Sequence, residues 1–208
     1  MNERPLSEFA LVDLLDAFAS SDPVPGGGSA SALAGAVGIS LLIMVADMPT
    51  TRTGTPEETV DLADAAARLR PRRDEMADLI DSDSAAYAAV IAAYKLPKTS
   101  DAEKQARTAA IQEAIREATE VPLETMRVCQ QALRGAVIVA TAANLKATSD
   151  VGVAVELLAA GLRGARMNVD VNLASLSDGA YVSRVAEERD ALVADAEADA
   201  ERARKALK

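Results

Sequence analysis

A long stretch of very small side chains constrains the fold of this chain more than any other feature. It begins PVPGGGSASALAGAVG at residue 23 and stays apolar as far as Ala46. Because glycine and alanine leave little side chain on a helix surface, such a helix can bring its backbone close to its neighbours. The apolar run is short for a membrane span and ends at Asp47, so we expect a buried core helix over residues 30–46 and no membrane insertion.

The amino-acid composition favours helices throughout. The chain has 208 residues, half of them hydrophobic, which is enough to bury one core. Aromatic side chains make up only 2%, and alanine and leucine dominate, which is typical of helices rather than of sheets. We therefore predict an all-α fold, a single domain over residues 1–208 built as a bundle of long antiparallel helices.

Capping patterns predict where the helices begin and end. Thr55 before a proline, and Ser100 with a glutamate three residues later, are typical helix starts. Pro71 and Pro122 fall inside helical patterns and are expected to bend them. The first two predicted helices cover residues 11–18 and 30–46. The third starts after residue 55 and ends near residue 94, and the fourth starts after residue 100 and ends near residue 144. The fifth starts with a cap at residues 148–150 and runs to residue 173, and the last covers residues 178–207.

Charge and cysteine content exclude several classes of function. With 32 acidic and 22 basic side chains the formal net charge is −10, which opposes binding to nucleic acid. Cys129 is the single cysteine and there is no histidine, so we expect no intrachain disulfide and no metal site of the usual kinds. The N-terminus, with Asn2, Glu3 and Arg4, lacks the pattern of a signal peptide, and we expect a cytoplasmic protein.

The loop before the small-residue helix has the features of a ligand-binding turn. Pro25 stiffens its approach, and Gly26, Gly27 and Gly28 can adopt positive φ angles and let a ligand approach the backbone. Ser29 can cap the helix, whose free N–H groups would then face a carboxylate or a polarised carbonyl. The alternative is a tight turn whose small residues serve only helix packing.

Asp83 and Tyr87 form a candidate catalytic pair. They lie four residues apart, on one helix face and among alanines that would otherwise belong to the core. Burial raises the pKa of a carboxyl group and can suit it to proton transfer near neutral pH, a task for which this chain has no histidine. The alternative is a hydrogen-bonded pair with a structural role.

Other polar residues are candidates for the same site. Lys98 follows a proline on a loop, where its ammonium group can either contact a ligand or stay solvated. Three polar residues cluster at the junction before the fifth predicted helix. Two asparagines on that helix, four residues apart, either join helices or line a polar ligand site. These residues are Lys98, the junction residues Asn144, Ser149 and Asp150, and the pair Asn168 and Asn172.

Four segments together resemble the cyclodeaminase domain of the formiminotransferase-cyclodeaminase family, which includes stand-alone bacterial methenyltetrahydrofolate cyclohydrolases. They are PVPGGGSASALAGAVG (23–38), DSDSAAYAAVIAAYKLPK (81–98), NLKATSDVGVA (144–154) and GARMNVDVNL (164–173). The segments occur in the family's order and span most of the chain. The resemblance implies an all-helical homodimer with sites near the subunit interface, a reduced folate as substrate, and no metal or redox cofactor.

Two reactions are compatible with the resemblance. Cyclohydrolases open 5,10-methenyltetrahydrofolate to 10-formyltetrahydrofolate with water, and cyclodeaminases close 5-formiminotetrahydrofolate with loss of ammonia. The length of the chain is similar to that of the stand-alone cyclohydrolases, so we expect the cyclohydrolase reaction. The alternative reaction is that of the cyclodeaminases. An alternative of another class is a non-catalytic helical scaffold protein.

The resemblance also suggests roles for the candidate residues. Asp83 or Asp150 is expected to stabilise the cationic methenyl group and accept a proton from water. Lys98, Tyr87 and the asparagines would orient water, polarise the formyl oxygen or hold the pterin ring. The loop from Gly26 to Ser29 would receive the pterin carbonyl or the glutamate carboxylates.

Overall fold

A computed structural model describes residues 4–208, so Asn2 and Glu3 lie outside the described residues. This part of the chain forms six α-helices and no strand beyond one isolated bridge between Thr51 and Ala143. Two 3-10 turns, Leu6–Glu8 and Leu145–Ala147, precede the first and fifth helices. The all-α prediction is confirmed. The helices are α1 Leu11–Ala19, α2 Gly27–Ala46, α3 Pro56–Tyr94, α4 Asp101–Ala142, α5 Thr148–Leu173 and α6 Gly179–Ala206.

The small-residue helix α2 is a core helix that packs between α3 and α5. A Cβ atom on Gly35 would lie 2.7 Å from Cε of Met76, and one on Gly161 would lie 2.8 Å from the carbonyl oxygen of Ser31. These distances leave no room for a larger side chain, because real Cβ atoms do not approach other atoms so closely. The prediction of a buried, closely packed helix is therefore confirmed.

By length and composition α2 could also cross a membrane. More than half of its apolar window is buried inside the protein, in contact with other helices. Among its residues, Ala32, Ile39, Leu42 and Val45 have no solvent-exposed surface. In this structure the apolar character of α2 is accounted for by the core it fills.

The predicted helix starts at Thr55 and Ser100 are confirmed. The Thr55 hydroxyl accepts a hydrogen bond from the backbone N–H of Glu58 at 3.3 Å, and Ser100 forms a complete capping box with Glu103. The chain leaves α3 after Tyr94, before Leu96 and Pro97, as predicted. Two further prolines, Pro71 and Pro122, lie inside α3 and α4, and neither interrupts its helix.

Two predicted caps are wrong. α2 begins at Gly27 rather than after Ser29, because the Ser29 hydroxyl turns away from its own helix and towards α3. No side chain caps α5 at Thr148 to Asp150, because the preceding 3-10 turn runs directly into the helix. Thr148 donates its hydroxyl to the carbonyl oxygen of Leu145 instead of accepting a bond from the first turn.

Candidate active site

A cavity of about 370 Å³ lies where the N-terminus of α2 meets the C-terminal half of α3, the middle of α4 and the C-terminal part of α5. Chain segments far apart in the sequence therefore share one wall. The cavity is lined by Pro23, Val24, Gly26, Gly27, Gly28, Asp83, Ala86, Tyr87, Val90, Tyr94, Ile115, Ala118, Pro122, Asn168, Asn172 and Ser175. We call this cavity the Asp83 pocket.

The two carboxylate oxygens of Asp83 have different surroundings. Oδ2 accepts a hydrogen bond from the backbone N–H of Ser29 at 2.8 Å and lies 3.0 Å from the Ser29 hydroxyl. No donor within residues 4–208 reaches Oδ1. Burial raises the pKa of Asp83, and the two bonds from Ser29 lower it in part. The side chain is thus anchored through one oxygen and has the other available.

Gly28 explains how the carboxylate fits against the end of α2. A Cβ atom on Gly28 would lie 1.9 Å from Oδ1 of Asp83 and 2.4 Å from its Cγ, so any side chain there would occupy the space of the carboxylate. The other two glycines of the loop, Gly26 and Gly27, have room for a Cβ, which at either position would be 3.8 Å from the nearest heavy atom. The expected positive φ angles are wrong for this loop, since Gly54 is the only residue with a positive φ in the described chain.

Polar backbone and amide groups surround the carboxylate. The N–H groups of Gly27 and Gly28, in the first turn of α2, have no acceptor within the described chain. Asn168 and Asn172 donate their amide N–H groups to the carbonyl oxygens of Gly164 and Ala118, both at 3.0 Å. Both asparagines line the pocket, and their Oδ1 atoms receive no hydrogen bond from residues 4–208. The wall therefore offers both donors and acceptors to a ligand.

Two of the three tyrosines lie on one face of α3 and line the pocket. Tyr87 is 42% exposed and Tyr94 is 48% exposed, which leaves ring surface free for contact with a flat ligand. The guanidinium of Arg107 lies 5.6 Å from the centre of the Tyr94 ring and donates to the Tyr94 carbonyl oxygen. Sequence reasoning missed Tyr94, although its spacing of seven residues from Tyr87 places both on one helix face.

No cationic side chain from residues 4–208 pairs with Asp83 in the pocket. Of the lining residues within the described chain, only Asp83, Tyr87 and Tyr94 are ionisable, and none is Lys or Arg. Lys98 is exposed on the loop after α3 and does not line the pocket of its own chain, so its catalytic role stays a prediction. Residues 4–208 also contain no group of three metal-ligating side chains. The carboxylate charge is therefore available to a bound cation.

The junction residues lie elsewhere. Ser149 and Asp150 are in the first turn of α5, and Asn144 precedes the 3-10 turn before it. Asn168 is near the other end of α5, about 27 Å from Asp150 at the rise of an α-helix. The structure therefore does not bring Asp150 to the Asp83 pocket within one chain. Pro25 lines a second cavity on the other side of its loop, and Ser29 is fully buried behind Asp83 rather than exposed to a ligand.

Comparisons with known proteins agree with one another. The sequence description of the family named formiminotransferase-cyclodeaminase matches residues 10–191. A methenyltetrahydrofolate cyclohydrolase of Methylorubrum extorquens is 43% identical over 90% of each chain. A formimidoyltransferase-cyclodeaminase of Rattus norvegicus is 29% identical over 95% of this chain but only 37% of its own length. The crystal structure of a formiminotetrahydrofolate cyclodeaminase from Thermotoga maritima superposes with a TM-score of 0.87, at 27% identity over 97% of each chain.

Proposed function

This chain belongs to the formiminotransferase-cyclodeaminase family, and on that premise we propose that it is a methenyltetrahydrofolate cyclohydrolase. The proposed reaction adds water to 5,10-methenyltetrahydrofolate and yields 10-formyltetrahydrofolate, reversibly. The higher identity to the cyclohydrolase of Methylorubrum extorquens than to the cyclodeaminases favours this reaction over ring closure with loss of ammonia.

The observation that carries the proposal is the state of Asp83. Its carboxylate is partly buried, anchored through Oδ2, free at Oδ1 and without a cation in the pocket. A methenyl group carries one positive charge shared between N5 and N10. A fixed and partly buried carboxylate attracts such a charge more strongly than a carboxylate in water does. The pocket therefore complements a cationic folate better than a neutral one.

The same carboxylate can act as the base. In the proposed step the oxygen of a water molecule bonds to the methenyl carbon while Oδ1 of Asp83 takes one of the water's protons. The bond from that carbon to N5 then breaks, and N5 takes up the proton held by Asp83. The remaining hydroxyl proton is released as the formyl C=O forms. One water is consumed and one proton is released, with no change in oxidation state, so the proposed step requires no metal or redox cofactor.

The remaining pocket residues would hold the folate. The pterin ring carries N–H groups that suit the free amide oxygens of Asn168 and Asn172, and a carbonyl that suits the free N–H groups of Gly27 and Gly28. The rings of Tyr87 and Tyr94 provide flat surfaces for the aromatic parts of the substrate. Lys98 and Asp150 take no part in the proposed step.

A side-by-side assay tests the proposed reaction. The purified protein is given 5,10-methenyltetrahydrofolate in one reaction and 5-formiminotetrahydrofolate in another, with Asp83→Asn protein and buffer as controls. We expect loss of the methenyl absorbance in the first reaction, faster than in either control. Gain of methenyl absorbance with release of ammonia in the second reaction alone would favour the cyclodeaminase. Activity with neither substrate, and no rise in melting temperature with reduced folates, would favour a scaffold.

We further propose that the enzyme is a homodimer. Apolar side chains remain exposed on α2 and α5, two helices that pack against each other. Their exposed fractions are 44% for Val37, 43% for Met44, 52% for Val153, 67% for Met167 and 68% for Val171. A second copy that covered these faces would remove this surface from water. Met167 and Val171 adjoin the pocket asparagines in sequence, so such an interface would border the Asp83 pocket.

Sedimentation can test the proposed dimer. Two exposed residues distant from the pocket asparagines, Val37 and Val153, are replaced by glutamate, and Val60→Glu on α3 serves as the control because Val60 is 59% exposed. We expect the double variant to dissociate into monomers or to lose folded protein, and the control to sediment like the wild type. A wild-type protein that is a well-folded monomer at micromolar concentration would contradict the proposal.

We propose that this enzyme works in the cytoplasm, apart from membranes and nucleic acid. A formal net charge of −10 disfavours contact with phosphate backbones, and more than half of the apolar window of α2 is already buried in the protein core. We expect the protein in the soluble fraction after cell lysis without detergent. Recovery in the membrane pellet would contradict this.

A further inference from the structure

The Ser29 hydroxyl has one proton and lies within hydrogen-bond distance of two acceptors that cannot themselves donate to it, a carbonyl oxygen and a carboxylate oxygen. Its Oγ lies 2.9 Å from the carbonyl oxygen of Ile80 and 3.0 Å from Oδ2 of Asp83. Since a hydroxyl group donates one hydrogen bond at a time, it can serve only one of these oxygens. Ser29 has no exposed surface, so water does not compete for the bond. The choice between the two acceptors therefore depends on Asp83.

The charge of Asp83 decides which acceptor is favoured. A hydrogen bond to an ionised carboxylate is roughly twice as strong as one to a neutral group. The hydroxyl should thus point at Oδ2 while Asp83 is ionised, and at the Ile80 carbonyl once Asp83 has taken up a proton. Ser84, whose Oγ lies 3.3 Å from that of Ser29, can donate to Ser29 in both states. Only hydrogen atoms move in this exchange, and the carboxylate stays in place.

The structure also limits which oxygen of Asp83 receives the proton. Oδ2 accepts the Ser29 N–H in either state, whereas Oδ1 lies against Gly28 with no donor from residues 4–208. We propose that Ser29 is a positioning residue whose hydroxyl follows the charge of Asp83, holds Oδ2 as an acceptor and leaves Oδ1 as the oxygen that exchanges protons with the pocket. The inference rests on the proposed function, in which Asp83 is the base.

Few other charged groups influence this pair. Tyr87 and Tyr94 of α3 are the other ionisable residues of the pocket wall, and α2, α4 and α5 contribute none to it. Asp81, two residues before Asp83, accepts hydrogen bonds from the backbone N–H of Leu6 and the hydroxyl of Ser7. The titration of Asp83 should therefore respond chiefly to burial and to Ser29, the two influences that the structure identifies.

Removing the hydroxyl should shift the titration of Asp83. The measurement is a pH titration by NMR of protein labelled with ¹³C at the aspartate carboxyl carbons, in which the Asp83 signal is the one missing from Asp83→Asn. We expect Ser29→Ala to raise the midpoint of Asp83 by about one pH unit, because a hydrogen bond to the ionised form is lost. The acid limb of kcat/KM should move in the same direction.

Ser31→Ala is the matched control. Ser31 lies on the same helix, is also buried, and donates its hydroxyl to the carbonyl oxygen of Gly27 rather than to Asp83. We expect no shift of the Asp83 midpoint in this variant. If Ser29→Ala does not fold, Ser29→Cys replaces it, and its weaker donor should also raise the midpoint.

Three results separate the possible outcomes. An unchanged midpoint in the Ser29 variant, or an equal shift in Ser31→Ala, would overturn the role of Ser29. A fall in activity at all pH values without a shift of the acid limb would also overturn it, because that pattern indicates a structural defect alone. Since the NMR titration needs no substrate, a wild-type protein that does not act on methenyltetrahydrofolate would refute the proposed function and leave the test of Ser29 intact.

Discussion

Polar groups near the two ends of α5 differ in whether they have hydrogen-bond partners within the protein. At the pocket end, Oδ1 of Asp83, the N–H of Gly27 and Oδ1 of Asn168 have no partner within the described chain. At the far end, which comprises residues 50–58 and 144–150, the amide of Asn144 donates to the Thr50 hydroxyl at 2.6 Å. Its oxygen accepts from the N–H of Lys146 at 2.9 Å.

The far end also secures the helices to one another. The guanidinium of Arg52 donates to the carbonyl oxygens of Ala140 and Ala206, at the ends of α4 and α6, although its buried Nε has no partner. Glu58 accepts hydrogen bonds from the hydroxyls of Thr51 and Thr53 and from nearby backbone N–H groups. Polar groups that are satisfied internally stabilise a fold, whereas available ones at a pocket can bind a ligand. We therefore expect substitutions at the pocket end to change catalysis, and those at the far end to change stability.

The largest effect is expected from Asp83→Asn. This change keeps the shape of the side chain but removes the base, so turnover should fall by about 100- to 10,000-fold. Burial raises the pKa of Asp83, and its ionised form therefore destabilises the folded state as the pH rises through that pKa. Asp83→Asn should accordingly leave the melting temperature at neutral pH unchanged or higher, as a melting curve on the same preparation would show.

Asp150→Asn is the control for this comparison. Asp150 lies in the first turn of α5, where the helix dipole favours a carboxylate. We expect turnover within a few-fold of the wild type. A loss as large as that of Asp83→Asn would break the distinction between the two ends and would indicate that a neighbouring protomer brings its far end to the pocket.

The next effect in size is expected from Gly28→Ala. The new Cβ would overlap Oδ1 of Asp83, so the carboxylate must move by an ångström or more. A displacement of that size in a catalytic group reduces the rate by roughly 100-fold. Gly27→Ala is the matched variant, because its Cβ would be 3.8 Å from the Asn168 amide and should disturb the rate far less. Equal losses in both variants would show that the steric argument is wrong.

A smaller effect on binding is expected at Tyr94. Replacing its ring with leucine removes an aromatic surface from the pocket, and contacts of this kind contribute about 0.5–1.5 kcal/mol. The dissociation constant for reduced folate, measured by titration calorimetry, should therefore rise about 2- to 12-fold. Tyr94→Phe keeps the ring and should bind like the wild type. If Tyr94→Leu binds folate normally, the substrate does not reach this part of the pocket.

The smallest effect on turnover is expected from Glu58→Gln at the far end. Hydrogen bonds from Thr51 and Thr53 lower the pKa of Glu58 to about 2, below its usual value of 4.5. Since the folded-state pKa is depressed, the ionised Glu58 carboxylate stabilises the folded state above pH 4.5, and this contribution is lost as the pH falls through about 2. Melting curves should show Glu58→Gln to be less stable than wild type at pH 7, with the difference vanishing at low pH.

Turnover per folded molecule of Glu58→Gln provides the complementary measurement. We expect it to match the wild type, because Glu58 lies at the far end and not in the Asp83 pocket. If Glu58→Gln keeps its melting temperature but loses turnover, the far end contributes to the active site, contrary to this expectation.

Several site residues were predictable from local pattern, and others were not. Asp83 and Tyr87 stand out in sequence because a carboxylate and a phenol lie four residues apart among alanines, and both line the pocket. Asp150 and Lys98 stand out equally, yet they lie outside it. Spacing along a helix indicates which residues share a face, but not which face meets a cavity.

The sequence by itself determined which segments are helical and that α2 packs closely in the core. Helix periodicity, the caps at Thr55 and Ser100, and the small residues of α2 act over short distances, so their consequences can be derived from neighbouring residues. Only the tertiary structure decided that Ser29 turns from its own helix to Asp83, 54 residues away, and that Gly28 leaves room for that carboxylate. Such contacts depend on how α2 and α3 are placed in space, and no local propensity encodes that placement.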